Sequence, residues 1–332
     1  MKKRIWVILY IFSLVTLITA AVLLTCVFGK RKDVQGEIVS KLVQTEQRIE
    51  EVYLQETQAS GQLEAAEYIG ERETDKVGRP EKEAEQILSD DESLAAAQDE
   101  TESRLYKLQQ DGSQWSVCLQ KLENGSGFIV NDRRMQAASL IKLFIMGCVY
   151  EDYETMILKD TKEQIDEWLK AMITVSDNDA ANQLVYVLGS GDGAAGRRKV
   201  NAFADTHGYQ NTHMGRLLLA PNDADDNYTS AADCVKFLHD CYKKKLVHSE
   251  EMLDLLEQQT KRSKIPAGIP KDITVRNKTG ELQDVQNDAA IIYAADSPYI
   301  LCVISQELQN GENAVAEIVS LSESLYGYLT EQ

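Results

Sequence analysis

The chain has 332 residues and a formal net charge of −18 at pH 7, and that charge is distributed unevenly. Positions 1–32 hold six basic residues and no acidic one, whereas positions 33–104 hold 20 acidic and 7 basic residues. An acidic chain without a basic patch argues against nucleic acid as a partner. The four histidines and six cysteines show no metal-ligand spacing, so we predict no metal site and no cofactor, and no disulfide pairing follows from them.

The first predicted element is a membrane anchor within residues 1–32. Residues 5–28 are 24 consecutive positions without a charged side chain, and Lys and Arg flank them on both sides. A helix of that length spans a bilayer core of about 30 Å. A cleaved signal peptide has a shorter apolar core, so we favour an uncleaved anchor. Cleavage and lipidation at Cys26 is a weaker alternative, because a threonine directly precedes the cysteine.

Residues 33–90 are predicted to form an acidic stalk. Nine positions between residues 38 and 66 follow the 4-3-4-3 spacing of a coiled-coil seam, although two of them are polar. Weak self-association through residues 38–66 is one interpretation. A charged helical or disordered spacer between membrane and domain is the other, and it is favoured.

Residues 91–332 are predicted to form one globular domain. Strands at both ends of the domain, with helices between them, imply one antiparallel sheet covered by helices and a second lobe of helices, an α/β (α+β) arrangement. The expected strands are residues 114–122, 127–131, 273–278, 289–294 and 299–306. The expected helices are residues 161–175, 179–188, 198–207, 230–245 and 312–329, together with one that begins at Ser139.

The helix that begins at Ser139 is apolar almost all round, which predicts a buried central helix. Lys142 follows three positions later, so its amine and the Ser139 hydroxyl share a face. The positive N-terminal end of a helix favours the negative charge that passes through a nucleophilic serine and a bound carbonyl oxygen. On this spacing alone, however, the two residues are better explained structurally: the serine caps the helix, and the lysine places its ammonium group in solvent.

Two further motifs change that balance. Ser176-Asp177-Asn178 precedes a predicted helix, and Lys278-Thr279-Gly280 ends a predicted strand. Each alone is typical of an ordinary cap or turn. In this order, however, S-x-x-K, S-D-N and K-T-G form the motif set of class A β-lactamases and penicillin-binding proteins. Over about residues 105–330, the chain therefore resembles the serine β-lactamase and penicillin-binding protein family, and within it the class A-like branch.

The resemblance implies a β-lactamase/transpeptidase-like fold, with a five-stranded antiparallel sheet flanked by helices, an all-helical lobe and a site at their junction. It implies that Ser139 attacks a carbonyl and becomes acylated, with Lys142 as its proton acceptor. A lysine accepts a proton near neutral pH only if its pKa is depressed, and Lys278 is expected to supply like-charge repulsion in that direction. Ser176 would relay a proton to the leaving nitrogen.

The remaining residues of the motifs are implied to bind substrate. Asn178 would hold a side-chain amide of the substrate, while Lys278 and Thr279 would bind its carboxylate. Gly280 would allow a ligand to approach the strand closely. The backbone N–H of Glu281 would pair with that of Ser139 as an oxyanion hole.

The chain departs from the class A pattern in a shorter interval between Ser139 and Ser176 and in the loop that follows the second motif. Class A enzymes carry a glutamate between the second and third motifs, which activates the water that hydrolyses the acyl-enzyme. Thr212, Arg216 and Asn222 fit the corresponding loop, but the glutamate position falls on Leu218. Leucine cannot act as a base. The acids at positions 223, 225 and 226 are interpreted as solvated turn residues.

We therefore predict a serine hydrolase or acyl-transferase that acylates readily, deacylates slowly, and acts on a cell-wall (peptidoglycan) peptide or a β-lactam-like amide. The resemblance implies that its domain acts outside the cytoplasmic membrane, tethered by the single N-terminal helix. The alternatives are a non-catalytic domain that binds or senses muropeptides or β-lactams, and a true class A-like β-lactamase.

Overall fold

The computed structural model describes residues 81–158, 161–295 and 297–330, with side chains from residue 92 onward. The predicted anchor (5–28), the coiled-coil positions (38–66) and most of the predicted stalk lie outside these residues, and the division into anchor, stalk and domain stays a prediction. Within the described ranges, none of the helices combines the length and apolar character needed to cross a bilayer.

The described chain alternates between two groups of strands and a long helical middle. Helix α1 (Glu81–Leu108) runs across the boundary predicted at residue 90. The N-terminal strands are β1 (Gln114–Lys121), β2 (Gly127–Val130) and β3 (Met135–Gln136). The helical middle consists of α2 (Ile141–Glu151), α3 (Tyr153–Met156), α4 (Lys162–Thr174), α5 (Asn178–Leu188), α6 (Gly193–Thr206), the short strands β4 (His213–Met214) and β5 (Asn227–Thr229), α7 (Ala231–Tyr242) and α8 (Ser249–Glu257). The C-terminal elements are β6 (Val275–Leu282), β7 (Val285–Ile292), β8 (Tyr299–Gln306) and α9 (Gly311–Thr330).

The main sheet has five antiparallel strands in the order β2-β1-β8-β7-β6. This confirms the predicted sheet, because β1 from the start of the domain pairs along its whole length with β8 from the end. Strand β8 lies in the middle of the sheet and is buried at seven of its eight positions. Strand β6 is an edge strand, so one side of its backbone is available to whatever lies beside the sheet.

Helices cover both faces of this sheet, and alternate residues of a strand point to opposite faces. On β8, Cys302 and Ile304 belong to the hydrophobic cluster that includes α2 and α7. Leu301 and Val303 belong to the other cluster, which includes α1 and α9. Since each face has its own apolar layer, the central strands read as continuous hydrophobic runs rather than as an alternating pattern.

Helix α2 is the centre of the helical lobe, as its all-round apolar sequence predicts. Ten of its eleven residues are buried. The Phe144 ring packs edge-to-face against Tyr209 and Phe237, with ring centroids 5.2 and 5.3 Å away. A helix packed on every side is a rigid mount for side chains at its N-terminus.

Two parts of the sequence-based prediction were wrong in detail. Strand β6 does not end at residue 278 but continues through Thr279 and Gly280 to Leu282, and β7 begins at Val285 rather than at residue 289. Lys278, Thr279 and Gly280 suggested a strand end followed by a turn, but all three are buried within β6. The hairpin is also joined by a buried side-chain hydrogen bond, in which Asn277 Nδ2 donates to Asp288 Oδ1 at 3.0 Å. Helix α8 was not predicted. The small sheet β3-β5-β4 was not predicted either, because strands of two or three residues give no periodic signal.

The cysteines of the described chain are free and buried. They are Cys118, Cys148, Cys234, Cys241 and Cys302. Cys118 and Cys302 are register partners on β1 and β8. Burial raises the pKa of Cys118 to about 12, and nearby Asp132 and Cys234 act in the same direction.

Candidate active site

Ser139 lies in a 3-10 turn, Ala138–Leu140, that leads directly into α2. Ala138 has a positive φ of 46°, a conformation that non-glycine residues adopt rarely and that costs on the order of 1–3 kcal/mol. The Ser139 Oγ is 3.1 Å from the Nζ of Lys142, one helical turn on. The structure therefore brings together the serine and the lysine of the first motif, as their spacing predicts.

The amine of Lys142 is fully buried and has four oxygen atoms within hydrogen-bonding distance. Two of them can only accept: the carbonyl oxygen of Ser176 and the Oδ1 of Asn178, each 2.7 Å from Nζ. The other two are the hydroxyl oxygens of Ser139 at 3.1 Å and Ser176 at 3.2 Å. A neutral amine has two N–H donors and one lone pair. If the donors go to the two obligate acceptors, the lone pair is left for a hydroxyl proton.

The pKa of Lys142 fits that neutral form. Burial, and after it the positive charge of Lys261, lower the pKa of Lys142 to about 7 against the opposing charge of Asp177. The repulsion expected between Lys278 and Lys142 contributes to the lowered pKa of Lys278, whereas the like charge that lowers the pKa of Lys142 is that of Lys261. Because repulsion between two charges is mutual, the two buried lysines disfavour each other's charged form.

The turn that carries Ser176 is held in a fixed position between two lobes of the domain. Ser176 has a positive φ of 62°, and the next residue, Asp177, caps α5 by accepting from Ala180 N–H at 2.7 Å. The segment after α8 binds the end of α4 just before this turn: Thr260 N–H donates to the Thr174 carbonyl at 2.9 Å. Asn178 begins α5, and its Oδ1 is committed to Lys142, which leaves its NH₂ group for the predicted contact with substrate.

Lys278 completes the polar cluster from the side of the sheet. Its Nζ donates to Ser176 Oγ at 2.9 Å and to the Thr279 carbonyl at 2.8 Å. Burial holds the pKa of Lys278 well below its usual value, and Lys142 and Lys261 add repulsion. The Ser176 hydroxyl thus lies between two lysines, one from the helical lobe and one from the sheet.

Gly280 brings β6 against the turn of Ser139. A Cβ atom added at Gly280 would lie 2.8 Å from the Ala137 carbonyl oxygen and 3.2 Å from the backbone nitrogen of Ser139. A side chain would therefore push the strand away from the turn of Ser139. Thr279, which precedes Gly280, is buried, whereas the side chain of Glu281, which follows it, is partly exposed.

Two lysines that the motifs did not reveal hold the carboxylate of Glu281. Lys261 Nζ lies 3.3 Å and Lys264 Nζ 3.2 Å from its oxygens. Burial alone would raise the pKa of Glu281, but the charges of Lys264 and Lys261 outweigh it and lower the pKa. The only sequence signal was the basic run at positions 261–264, which lies between elements and reads as a loop.

The loop after β4 presents an apolar residue where a class A enzyme has its glutamate. Leu218 is buried, and its backbone is bonded at both ends to one side chain: its N–H donates to Asn182 Oδ1 at 2.8 Å and its carbonyl accepts from Asn182 Nδ2 at 3.0 Å. Asn182 lies on α5, one turn after Asn178. This loop is therefore fixed to the same helix as the second motif.

Two of the acids in this loop are engaged elsewhere. Asp226 is buried and accepts from Arg216 Nε at 2.6 Å and from Asn222 Nδ2 at 3.2 Å. Burial would raise the pKa of Asp226, but its hydrogen bonds lower it. Asp225 pairs with His213 at 2.8 Å, whereas Asp223 is exposed. The expectation that these were all solvated turn residues is wrong for Asp226, which anchors the loop from inside.

No group of three or more His, Cys, Asp or Glu side chains within the described residues is arranged to hold a metal ion. The donors around Ser139 are amines, hydroxyls and amides, which suit proton transfer and hydrogen bonding to a substrate.

The five-stranded sheet and the helical lobe form the fold of the serine β-lactamases and penicillin-binding proteins. A model of the "Beta-lactamase enzyme family" matches residues 154–329, and the chain belongs to that family. The matched residues include Ser176, Lys278 and Leu218 and begin after Lys142.

Solved structures share this fold. A leucine-to-glutamate mutant of PBP-A, in an acyl-enzyme complex with penicillin G, has a TM-score of 0.61 and 21% identity, covering 70% of this chain and 96% of that one. An ancestral class A β-lactamase has a TM-score of 0.59 and 23% identity, covering 68% and 98%. A β-lactamase from Xanthomonas campestris has a TM-score of 0.60 and 20% identity, covering 69% and 97%. A search of curated protein sequences found no match.

Proposed function

We propose that the chain is a membrane-anchored, extracytoplasmic serine hydrolase or acyl-transferase that forms an acyl-enzyme on Ser139. The observation that carries the proposal is the set of contacts made by Lys142: two obligate acceptors lie 2.7 Å from its Nζ, and the hydroxyl of Ser139 lies 3.1 Å from the same nitrogen. With its pKa lowered to about 7 by burial, Lys142 is a base at neutral pH.

In the proposed reaction, the Ser139 proton moves to Lys142 Nζ while Oγ bonds to the carbonyl carbon of an amide substrate. The negative charge on the carbonyl oxygen is stabilised by the backbone N–H groups of Ser139 and Glu281. The carbon–nitrogen bond then breaks, and a proton reaches the leaving nitrogen through the Ser176 hydroxyl, which Lys142 and Lys278 both contact. The products are an ester on Ser139 and a free amine.

The substrate class follows from the same groups. Lys278 and Thr279 suit a carboxylate next to the scissile amide, and the NH₂ group of Asn178 suits a carbonyl on the other side. A cell-wall peptide and a β-lactam both present this combination. Release of the acyl group is slow in this proposal, because Leu218 supplies no base for water. That property argues against the alternative of an efficient class A-like β-lactamase.

The location rests on the sequence. The 24 uncharged residues at positions 5–28 act as the anchor, and the domain works on the outer face of the membrane, where cell-wall peptides are found.

A fluorescent penicillin tests the proposal directly on the full chain in membranes. We expect one covalent label per chain, lost in Ser139→Ala and retained in Ser103→Ala, a control on the exposed side of α1. Mass spectrometry with unlabelled penicillin is expected to show a long-lived adduct. Rapid, complete turnover of the penicillin would contradict slow release. Binding that survives Ser139→Ala would favour the non-catalytic alternative, a domain that senses muropeptides or β-lactams.

A further inference from the structure

We propose that Lys264 is a positioning residue for the oxyanion hole, where its buried ammonium group binds the carbonyl of the peptide unit whose N–H faces the substrate. The proposal rests on the proposed function, since it concerns the same acylation step. Lys264 lies outside the three motifs, in the basic run before β6.

The contacts of Lys264 are made inside the protein, behind the edge strand. Its side chain has no exposed surface, and its Nζ donates to the Gly280 carbonyl at 3.3 Å and to the Asn287 carbonyl at 3.1 Å. The third partner is the carboxylate of Glu281 at 3.2 Å. The three N–H donors of the ammonium group thus have three acceptors, two backbone carbonyls and one carboxylate, around the Gly280–Glu281 peptide unit.

The register of the hairpin fixes the direction of that peptide unit. Gly280 and Asn287 are opposite each other on β6 and β7, and one ammonium group reaches both of their carbonyls, so both carbonyls point into the space between the two strands. In an extended strand, the C=O of one residue and the N–H of the next point to opposite edges. The N–H of Glu281 therefore points to the free edge of β6, and the turn of Ser139 packs against the same strand at Gly280.

A cation on a peptide carbonyl strengthens the donor at the other end of the same peptide. Hydrogen bonds in series polarise one another, and the effect is larger in a buried site of low dielectric constant. Lys264 would therefore make the Glu281 N–H a stronger donor to the oxyanion and would hold it in place before substrate arrives. Burial lowers the pKa of Lys264, and Asp288 and Glu281 oppose that shift by favouring the charged form.

A second role for Lys264 has to be separated from the first. Lys264 also neutralises the Glu281 carboxylate, which would otherwise lie near the oxyanion and disfavour it. A double-mutant design distinguishes the two, because the glutamate can be replaced while its backbone N–H remains. If Lys264 acts through the Gly280 carbonyl, its removal still slows acylation in a Glu281→Gln background. If it acts only through the carboxylate, that background removes the effect.

The state of the peptide unit can be measured without any substrate. In the full chain, in detergent and labelled with ¹³C-carbonyl glycine and ¹⁵N-glutamate, a carbonyl–nitrogen correlation experiment gives signals only at the four Gly–Glu pairs. Glu281→Asp identifies the signal of interest by removing it. In Lys264→Met, we expect the Gly280 carbonyl carbon and the Glu281 nitrogen to move upfield. Lys261→Met is the matched control, since Lys261 also binds Glu281 but makes no contact with the Gly280 carbonyl, and it should leave both resonances in place.

The chemical consequence is read on the penicillin acyl-enzyme. We expect Lys264→Met to slow acylation about tenfold, less than the loss of a whole oxyanion donor, in both the native and the Glu281→Gln backgrounds. The infrared carbonyl stretch of the acyl ester should move to higher frequency, because its oxygen is held less tightly. Lys264→Gln keeps a donor without a charge and should give intermediate values. It serves as the test variant if Lys264→Met fails to fold.

Unchanged resonances of the Gly280–Glu281 peptide in both Lys264 variants would overturn the proposal, as would an acylation defect that vanishes in the Glu281→Gln background. If the native chain forms no acyl-enzyme at all, the proposed function fails. The resonances then still decide whether Lys264 polarises this peptide.

Discussion

Helix α5 holds two segments that differ in chemistry. Its N-terminus carries the turn of Ser176 and Asn178, where amines, hydroxyls and amides converge on one another within 3.2 Å. One turn further, Asn182 holds the backbone of Leu218, where the side chain is apolar and buried. One helix therefore supports a region built for proton transfer and a region without a base. In the proposed function, forming an acyl-enzyme and releasing it are separate steps, and the residues described around Ser139 supply a base for only the first.

The largest expected effect comes from removing the base on the proton-transfer side. Lys142→Met should slow acylation by penicillin by about 10²–10⁴-fold, the usual contribution of a general base. The exposed lysine variant Lys162→Met serves as the control and should label at the native rate. Time courses of fluorescent labelling measure both. Native-rate labelling of Lys142→Met would show that another group takes the Ser139 proton.

The next effect comes from adding a base to the region that has none, at Leu218. A glutamate in place of Leu218 should accelerate release of the penicilloyl group by about 10²-fold, since it adds a general base on a loop already fixed to α5. The matched control is Leu218→Gln, because glutamine has the same shape as glutamate but does not act as a base. Decay of the adduct mass over time measures release. Equal rates for the two variants would mean that the loop, rather than the missing base, limits hydrolysis.

The pH dependence of acylation sharpens the assignment of Lys142. Only the neutral amine accepts a proton, and its pKa is about 7, so the acylation rate should rise with pH and level off above about 7. Lys261→Met removes a positive charge that lowers this pKa, so the pKa should rise and the midpoint should move to higher pH by a fraction of a unit. Labelling rates between pH 5 and 9 test this, and a shift to lower pH would contradict it.

The smallest effect concerns the stability of the folded chain and its dependence on Asp288, which is buried on β7 beside the edge strand β6. Burial raises the pKa of Asp288 to about 7 from a usual value of 3.8, so the folded state holds its proton where the unfolded chain loses it. This contribution to stability is complete below about 3.8 and is lost as pH rises through about 7. In Asp288→Asn, melting temperatures should fall less between pH 5 and pH 8 than in the native chain. An equal fall in both would rule out Asp288 as the titrating group.

The sequence predicted the motifs and the sheet because both depend on local pattern and order along the chain. It predicted neither Lys261 nor Lys264, because their partners, Glu281 and the Gly280 carbonyl, lie on a strand whose length was itself misjudged. Lys278, Thr279 and Gly280 suggested a strand end and a turn, whereas they lie inside β6, which the hydrogen bond from Asn277 to Asp288 also joins to β7. Long-range pairing of polar groups has no periodicity to detect.

The five buried thiols have a practical consequence for any study of this domain. A thiol reagent reacts with the thiolate, and burial both blocks access to Cys118 and Cys148 and raises the pKa of each to about 12. Cys302 lies in the middle strand of the sheet, so its exposure requires the sheet to open. The rate at which a maleimide modifies these cysteines therefore reports on the opening of the core, without any introduced probe.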